Sequence, residues 1–173
     1  MLIRQAKLQD VQEVLHLWKS LMDEHMPLDG RFVLSEDALG RWRNDLWHWI
    51  EDPVHRVLVA EEEGRLVGFL HAFLWHDMPL FEQRQEVYLE DLYLDPSFRG
   101  QGHGKRMYEM LVSWAGEHDA QAIRLSTLAA NPKSNAFWVH MGFEPIMVTY
   151  TRELQARPPS PPASERRPLG FTG

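Results

Sequence analysis

A glycine-lined turn between a strand-like run and a helix-like run constrains this chain more than any other feature. Residues 87–94 are rich in branched and aromatic side chains, and residues 105–118 have the apolar spacing of a helix. The turn between them contains Arg99, Gly100, Gln101, Gly102, His103 and Gly104. Free N–H groups and the positive end of the dipole meet at a helix start, and glycine lets a ligand approach the main chain. The turn therefore predicts a phosphate-binding site.

The spacing excludes two common phosphate-binding loops. A Walker loop needs glycine at the position of Arg99 and Ser or Thr after Lys105, where this chain has Arg106. A dinucleotide fingerprint needs a third glycine at the position of Lys105. The pattern that remains is Arg-x-x-Gly-x-Gly.

This pattern resembles the acetyl-CoA pyrophosphate loop of the GNAT superfamily of acyltransferases. The strand end at residues 92–96 precedes it, and an amphipathic helix follows it. A second motif lies downstream, where residues 131–134 lead into residues 137–144. It is similar to the family's stretch from the fifth strand through a short helix to a Gly-Phe pair. The resemblance covers residues 1 to 154.

The predicted secondary-structure elements follow the order of that family. Strands are expected at residues 2–6, 57–61, 65–75, 87–94, 122–128 and 146–154. The first helix is expected from Asp10 to Met22, with the Glu13 side chain reaching back to cap its start. Further helices are expected between Ser35 and Pro53 and at residues 105–118 and 134–141. The third helix is expected to pack through Met107, Leu111 and Trp114. The resemblance implies an α/β (α+β) GNAT fold with a mixed central sheet flanked by about four helices. Its two central parallel strands would splay apart near Leu94 and Ser126 to admit the pantetheine arm.

Composition limits the class of protein and its partners. The chain has 173 residues, a net charge of −7 and no cysteine, which disfavours nucleic acid and excludes disulfides and thiolate chemistry. It lacks a signal-peptide pattern and a membrane-length apolar run, so a cytoplasmic location is expected. Residues 1–156 are expected to form the acetyltransferase domain. Residues 157–173 hold five of the eleven prolines and form a Pro/Arg-rich tail. Family members often form dimers, so a homodimer is also expected.

The resemblance implies a role for each residue of the two motifs. Main-chain groups of residues 92–94 would pair with the pantetheine amides, and N–H groups of residues 100–105 would hold the pyrophosphate. His103 would pack under the loop. Asn131 would fix the CoA arm, although an Asn-Pro pair is also a common helix start. The predicted cofactor-binding residues are Leu92, Tyr93, Leu94, Arg99, Gly100, Gln101, Gly102, His103, Gly104, Lys105, Asn131, Ser134 and Trp138.

Acetyl transfer to an amine needs a group that accepts a proton from the ammonium form of the acceptor. Glu90 and Asp91 precede the glycine turn, in a Tyr-Leu-Glu-Asp segment that resembles the spermidine/spermine and thialysine acetyltransferase branch. That branch implies the base at Glu90. Strand alternation puts the two carboxylates on opposite faces, so only one faces the cofactor cleft unless a bulge intervenes. The structural alternative is that both join ion pairs.

The chain departs from the family at the position of the general acid. The usual tyrosine four residues before the Gly-Phe glycine is Trp138 here, and an indole N–H is not a usable acid. Another group or water would protonate the thiolate, or transfer would proceed without assistance, because a thiol of pKa near ~8.5 is a tolerable leaving group.

The acceptor side carries charge but no metal motif. None of the nine histidines is in a His-Glu-x-x-His arrangement, so no metal is predicted. His25 with Asp23, Glu24 and Asp29 would shape an acceptor pocket or form a solvated loop. These residues and the acidic segment 77–86 favour a cationic amine.

The sequence therefore predicts an acetyl-CoA-dependent N-acetyltransferase that acts on the primary amine of a small cationic acceptor. Two alternatives remain open. One is acetylation of a protein N-terminus or lysine, and the other is a non-catalytic acyl-CoA sensor, for which the missing tyrosine is an argument.

Overall fold

Five strands form one sheet in the first of the two units into which the chain divides, Met1–Gly142. The computed structural model describes residues 1–76, 84–152 and 154. The strands are β1 (Leu2–Gln5), β2 (His55–Glu62), β3 (Arg65–Trp75), β4 (Glu86–Leu94) and β5 (Ala122–Leu125). The helices are α1 (Val11–His25), α2 (Ala38–Glu51), α3 (His103–Glu117) and α4 (Pro132–His140). The predicted mixed sheet with four helices is confirmed.

The strands lie side by side in chain order. The pairs β1–β2, β2–β3 and β3–β4 are antiparallel, and β4–β5 is parallel. A parallel neighbour needs a crossover connection, and α3 provides it between β4 and β5. The glycine turn therefore lies at the start of the crossover helix, directly after β4.

The hairpin between β2 and β3 follows from its turn residues. Glu63 and Gly64 both have positive φ, 49° and 76°, and Glu62 pairs with Arg65 across them. Two successive residues of positive φ are the requirement of a type I′ turn, whose twist matches that of the flanking strands.

Helices cover both faces of the sheet. On one face α1 and α2 pack through Trp18 and Trp42, whose rings stack at 4.8 Å, and Trp42 meets Phe69 of β3 edge-on at 5.9 Å. On the other face α3 buries three side chains, as predicted from its spacing: Met107, Leu111 and Trp114. The sheet is therefore buried on both sides, and β4 lies inside it with a neighbour on each edge.

The predicted cap at the start of α1 is wrong. Asp10 accepts hydrogen bonds from the Arg4 guanidinium at 2.7 and 3.0 Å and from the Lys7 N–H at 2.7 Å. Glu13 instead accepts from the N–H of Leu66 on β3 at 3.2 Å. A bidentate, charge-assisted contact is stronger than a neutral backbone bond, and Arg4 is also held by Glu61 of β2 at 2.9 Å.

Three predicted bounds also differ. Helix α3 begins at His103, inside the glycine motif, and β5 ends at Leu125 rather than at residue 128. No strand forms at residues 146–152, where Ile146, Met147 and Val148 are exposed. The alternation there is typical of a strand, but a strand exists only where a partner completes its ladder, and the described residues provide none.

Other predictions fall outside what the structure addresses. The boundary between residues 156 and 157 and the tail after it lie outside the described residues. Within the described part of the chain, no helix is both long and apolar enough to cross a bilayer. The cytoplasmic location and the homodimer stay predictions.

Gly68 of β3 packs directly against the backbone of β4, where no side chain would fit. A Cβ at Gly68 would lie 2.6 Å from the Tyr93 carbonyl oxygen and 2.5 Å from Leu94 Cδ2. We expect Gly68→Ala to lower the free energy of unfolding by about 1–3 kcal/mol, because a backbone carbonyl cannot move aside. Urea denaturation measures it. The matched control is Gly40→Ala in α2, where nothing lies within 4 Å of the added Cβ. This substitution should leave the free energy of unfolding unchanged or raise it by about 1 kcal/mol. Equal changes in the free energy of unfolding for both variants would contradict the steric explanation for Gly68.

Candidate active site

The two parallel strands separate in the middle of β4. Pairing with β5 ends at Leu89 and Leu125, whereas β4 continues along β3 to Leu94. Residues 90–94 thus have a ladder partner on one edge only among the described strands. Their open edge carries unpaired backbone groups and leads towards the glycine turn. This is the splayed cleft predicted from the resemblance.

An extra residue in β4 lies where the cleft opens. Asp91 pairs with His71 and Leu89 pairs with Ala72, so Glu90 is a β-bulge opposite β3. Leu89 and Leu92 pair with Ala72 and Leu70, which are two residues apart and share a face of the sheet. The bulge therefore places Glu90 and Asp91 together on the opposite face. The expectation of opposite faces from simple alternation is wrong here, because a bulge shifts the period by one residue.

The two adjacent carboxylates have different surroundings. The side chain of Glu90 is 47% exposed. Burial, together with the neighbouring charge of Glu90, raises the pKa of Asp91 to about 7. A carboxyl group whose pKa lies near 7 in a cleft is suited to acid–base chemistry at neutral pH.

The glycine turn has the backbone geometry of an anion site. Gly100 and Gly102 have φ of 74° and 82°, a conformation that side chains disfavour. The first hydrogen bond of α3 runs from the Arg106 N–H to the Gly102 carbonyl at 3.1 Å, so the N–H groups before it have no partner within the helix. His103 is half-buried, and its Nδ1 atom is buried without a hydrogen-bond partner.

Arg99 is engaged by the protein itself. Its Nε donates to the Leu94 carbonyl at 2.7 Å, and its terminal nitrogen donates to Glu24 of α1 at 2.7 Å. The guanidinium also lies 5.2 Å from the centre of the Tyr93 ring. The side chain thus ties the glycine turn to the end of β4 and to α1. It also occupies one of the backbone carbonyls assigned to the pantetheine arm.

The second motif forms the start and the buried face of α4. The Asn131 side chain accepts from the Ser134 N–H at 3.1 Å, so the helix-start role of this asparagine is realised. The Ser134 hydroxyl contacts Thr127 at 3.2 Å. Trp138 is buried and meets Tyr108 edge-on at 6.1 Å. Burial raises the pKa of Tyr108, which makes this nearby phenol a weaker acid than an exposed tyrosine.

Most carboxylates predicted to attract an acceptor are paired inside the protein. Asp23 pairs with Lys19, Asp29 with Arg31, and Glu24 with Arg99. Glu86 is buried and pairs with Arg124 at 2.9 Å, while residues 77–83 lie outside the described part of the chain. His25 is half-buried, and burial lowers its pKa. Glu90 and Asp91 are the carboxylates of the cleft without a Lys or Arg partner among the described residues.

Sequence reasoning missed three side chains that meet this site. The side chain of His71 on β3 lies 3.3 Å from Glu90, and His55 on β2 lies 3.0 Å from His71. The Tyr88 hydroxyl donates to Ser126 Oγ at 2.8 Å, where β5 has just ended. One sequence signal was available for His71, since it is a polar residue in an otherwise apolar strand.

The comparison with known protein families identifies the family of this chain. The profile described as the Acetyltransferase (GNAT) family matches residues 17–143. The chain belongs to the GNAT acetyltransferase family. The matched residues contain the bulge, the open edge of β4 and the glycine turn.

Individual relatives agree with this assignment. The chain is 29% identical over 148 residues to thialysine N-epsilon-acetyltransferase of Sus scrofa, covering 82% of each protein. It is 25% identical to the uncharacterized N-acetyltransferase YhfO of Bacillus subtilis, covering 82% of this chain and 89% of that protein. The crystal structure of a tetramutant of the BH1408 protein from Bacillus halodurans superimposes with a TM-score of 0.79 at 26% identity, covering 89% of this chain and 100% of that one.

An aminoglycoside acetyltransferase shares the fold of this GNAT protein. AAC(6')-Iy, solved with a bisubstrate analogue of CoA, gives a TM-score of 0.69 at 22% identity, covering 88% of this chain and 97% of that one. At this identity the likeness supports the fold.

The raised pKa of Asp91 predicts a pH-dependent stability. Its proton is held more tightly in the folded state, so the stabilisation is complete below the ordinary value of 3.8 and is lost as pH rises through about 7. We expect the free energy of unfolding of the wild type to fall relative to that of Asp91→Asn between pH 4 and 8, by up to ~4 kcal/mol. Urea denaturation at both pH values measures it, and a constant difference would contradict the burial of this carboxyl.

Proposed function

We propose that this GNAT enzyme transfers the acetyl group of acetyl-CoA to the primary amine of a small cationic acceptor, with Glu90 as general base. The observation that carries the proposal is the bulge that places two carboxylates where β4 and β5 separate. A proton acceptor at that point lies beside any ligand that enters the cleft along the open edge of β4.

Acetyl-CoA is the co-substrate, and the chain offers it main-chain contacts at two places. The open edge of residues 90–94 provides N–H and C=O groups that pair with the amides of an extended arm as another strand would. The start of α3, with Gly102 and Gly104 free of Cβ atoms, holds the pyrophosphate on N–H groups. Arg99 supports this site by fixing the turn against Leu94 and Glu24, not by neutralising phosphate.

The reaction moves one acetyl group from sulfur to nitrogen and removes two protons from the ammonium. The ammonium form of the acceptor loses its first proton to Glu90, directly or through one water, and the free amine attacks the thioester carbon. The carbon–sulfur bond breaks, the attacking nitrogen gives up its second proton, and the departing CoA thiolate takes up that proton directly or through water. The bulged residue is outside the β3 ladder, so its backbone N–H is a donor suited to the developing oxyanion. Trp138 takes no part in proton transfer.

A cationic acceptor fits the surface next to Glu90. The rings of Phe73, Trp75 and Tyr88 lie within 5.5 to 6.2 Å of one another, and Trp75 is 39% exposed. Tyr88 and Glu90 are two residues apart on β4 and share a face. Aromatic rings and carboxylates both attract ammonium groups. The relative from Sus scrofa is named for the ε-amine of thialysine, a small cationic amino acid, which agrees with this acceptor class.

A panel of amines tests this function. Release of CoA thiol from acetyl-CoA is measured with diamines, basic amino acids, aminoglycosides and peptides. We expect the small cationic amines to have the highest kcat/KM at low salt, and this preference to shrink as salt screens the carboxylates. Preference for a peptide would support the protein acetyltransferase alternative, and CoA binding without thiol release would support the sensor.

The role of Glu90 predicts a pH-dependent loss of activity. Glu90→Gln should lower kcat/KM by about 10²-fold at neutral pH and much less at high pH, where free amine is abundant. The affinity for CoA should hardly change. The matched control is Asp91→Asn, which we expect to retain more activity. Full activity of Glu90→Gln with a dead Asp91→Asn would move the base to Asp91.

The cofactor site predicts a graded response at Gly104. A Cβ there would meet Leu94 and Phe137 at ordinary contact distances of 3.6 and 3.7 Å, so Gly104→Ala should fold and bind CoA. The branched side chain of Gly104→Val should cover the N–H groups at the start of α3 and abolish CoA binding while the protein stays folded. Calorimetry measures the affinity, and unchanged binding by a folded Val variant would refute the pyrophosphate site.

A further inference from the structure

A pair of imidazoles lies behind Glu90 in the sheet. His71 is fully buried, and its Nδ1 atom lies 3.3 Å from Glu90 Oε2. This Nδ1 atom makes no hydrogen bond to any described residue. Its Nε2 atom lies 3.0 Å from Nδ1 of His55. A continuous line of polar atoms therefore runs from Glu90 through His71 to His55, across β4, β3 and β2. A buried imidazole on an apolar face is unfavourable unless its nitrogens are used.

The packing holds these rings in one orientation. The Trp49 indole stacks on His71 at 4.1 Å with an interplanar angle of 16°, and on His55 at 5.7 Å and 19°. The two imidazoles are nearly parallel to each other, with an angle of 10°. A ring that turned out of its plane would break this stack, so the packing fixes the planes of both imidazoles. The hydrogen bond between His71 Nε2 and His55 Nδ1 then places the other edge of the His71 ring, with Nδ1, towards Glu90.

The hydrogen bond between the two histidines has a consequence for Glu90. In a neutral pair, one of the facing nitrogens carries a proton and the other accepts it. If His71 Nε2 accepts from His55 Nδ1–H, the remaining proton of His71 must be on Nδ1, facing Glu90. The opposite arrangement would point a lone pair at the carboxylate. An ionised Glu90 therefore selects the arrangement in which His71 is its donor.

We propose that His71 and His55 are positioning residues that hold the Glu90 carboxylate ionised and oriented towards the acceptor amine. This inference rests on the proposed role of Glu90 as the base. His71 donates through Nδ1 to Glu90, and His55 donates through Nδ1 to His71, which keeps the proton of His71 on the correct nitrogen. Neither histidine needs to touch the acceptor or acetyl-CoA.

The charges around the pair are compatible with two neutral rings. Burial and the proximity of His71 lower the pKa of His55, while Asp52 and Glu90 act in the opposite direction. On the β4 side the titratable neighbours are Glu90 and Asp91, and Asp91 is paired directly with His71 in the strand register. On the α2 side the contacting side chain is Trp49, which carries no charge. Burial and the proximity of His71 therefore favour the neutral form of His55.

The pH profile of acetyl transfer tests this role. We expect His71→Phe, which keeps a ring against Trp49, to move the acid limb of kcat/KM upwards by about one pH unit, because the carboxylate loses its donor. The loss should be about tenfold at pH values on that limb and should disappear at pH 9. His71→Asn can place an N–H near the former Nδ1 and should restore part of the profile. The matched control is His118→Phe, which removes an imidazole packed on Trp114 and should leave the profile unchanged.

A double-mutant cycle separates positioning from general structural support. If His71 acts through Glu90, His71→Phe should change kcat/KM less than twofold in the Glu90→Gln background. The same tenfold loss in both backgrounds would overturn the proposal. Should His71→Phe fail to fold by circular dichroism, His55→Phe replaces it in the cycle. We then expect a smaller shift of the acid limb in the same direction, and an unchanged limb would overturn the proposal.

Nitrogen-15 NMR of the histidines tests the inference independently of activity. We expect both His71 and His55 to carry their protons on Nδ1 at pH 7 in the wild type, and Glu90→Gln to remove this preference. A proton on His71 Nε2 would overturn the inference even in an enzyme whose activity depends on Glu90. Absence of acetyl transfer to every amine, with the expected tautomers, would instead refute the proposed function and leave the geometry of the pair intact.

Discussion

The loss of the β5 partner after Leu89 is the constraint on which the rest of the site depends. Up to that residue β4 is an ordinary interior strand, and beyond it one edge is open. An open edge inside a sheet leaves backbone groups unpaired, which is unfavourable without a ligand that completes the ladder. The bulge at Glu90 occurs directly after this point. It turns two successive carboxylates towards the same face of the sheet. The open backbone edge and the proposed base therefore both arise where β4 loses its pairing with β5.

The part of the cleft proposed to bind acetyl-CoA depends on main-chain geometry more than on side chains. Positive φ at Gly100 and Gly102 and the early start of α3 at His103 bring free N–H groups together at the end of β4. The one arginine of this motif is used within the protein, where it joins the turn to Leu94 and Glu24. The predicted phosphate site thus has an arginine that shapes it and a helix terminus that supplies the positive potential.

The face of the sheet that carries Glu90 is built from aromatic and imidazole rings. Trp42, Trp49, His55, His71 and Phe73 pack in sequence from α2 across β2 and β3. This layer buries apolar area and also carries the polar line that ends at Glu90. A stack of flat rings holds each ring in its plane, so the same contacts that stabilise α2 against the sheet fix the plane in which the His71 nitrogens lie. Stability and positioning are therefore coupled in this layer.

The sequence by itself determined the elements whose signals are local. Glycine spacing and helical apolar periodicity depend on neighbouring residues, and they predicted the phosphate turn and the four helices. Tertiary structure alone decided the features that depend on strand register and on partners distant in the chain. The bulge at Glu90 exists only relative to β3, and residues 146–152 have the alternation of a strand but no strand partner among the described residues. His71 reaches Glu90 across a strand pair separated by nineteen positions. No local pattern encodes such a contact, because side-chain proximity across a sheet is set by register, and one extra residue changes which face a side chain occupies.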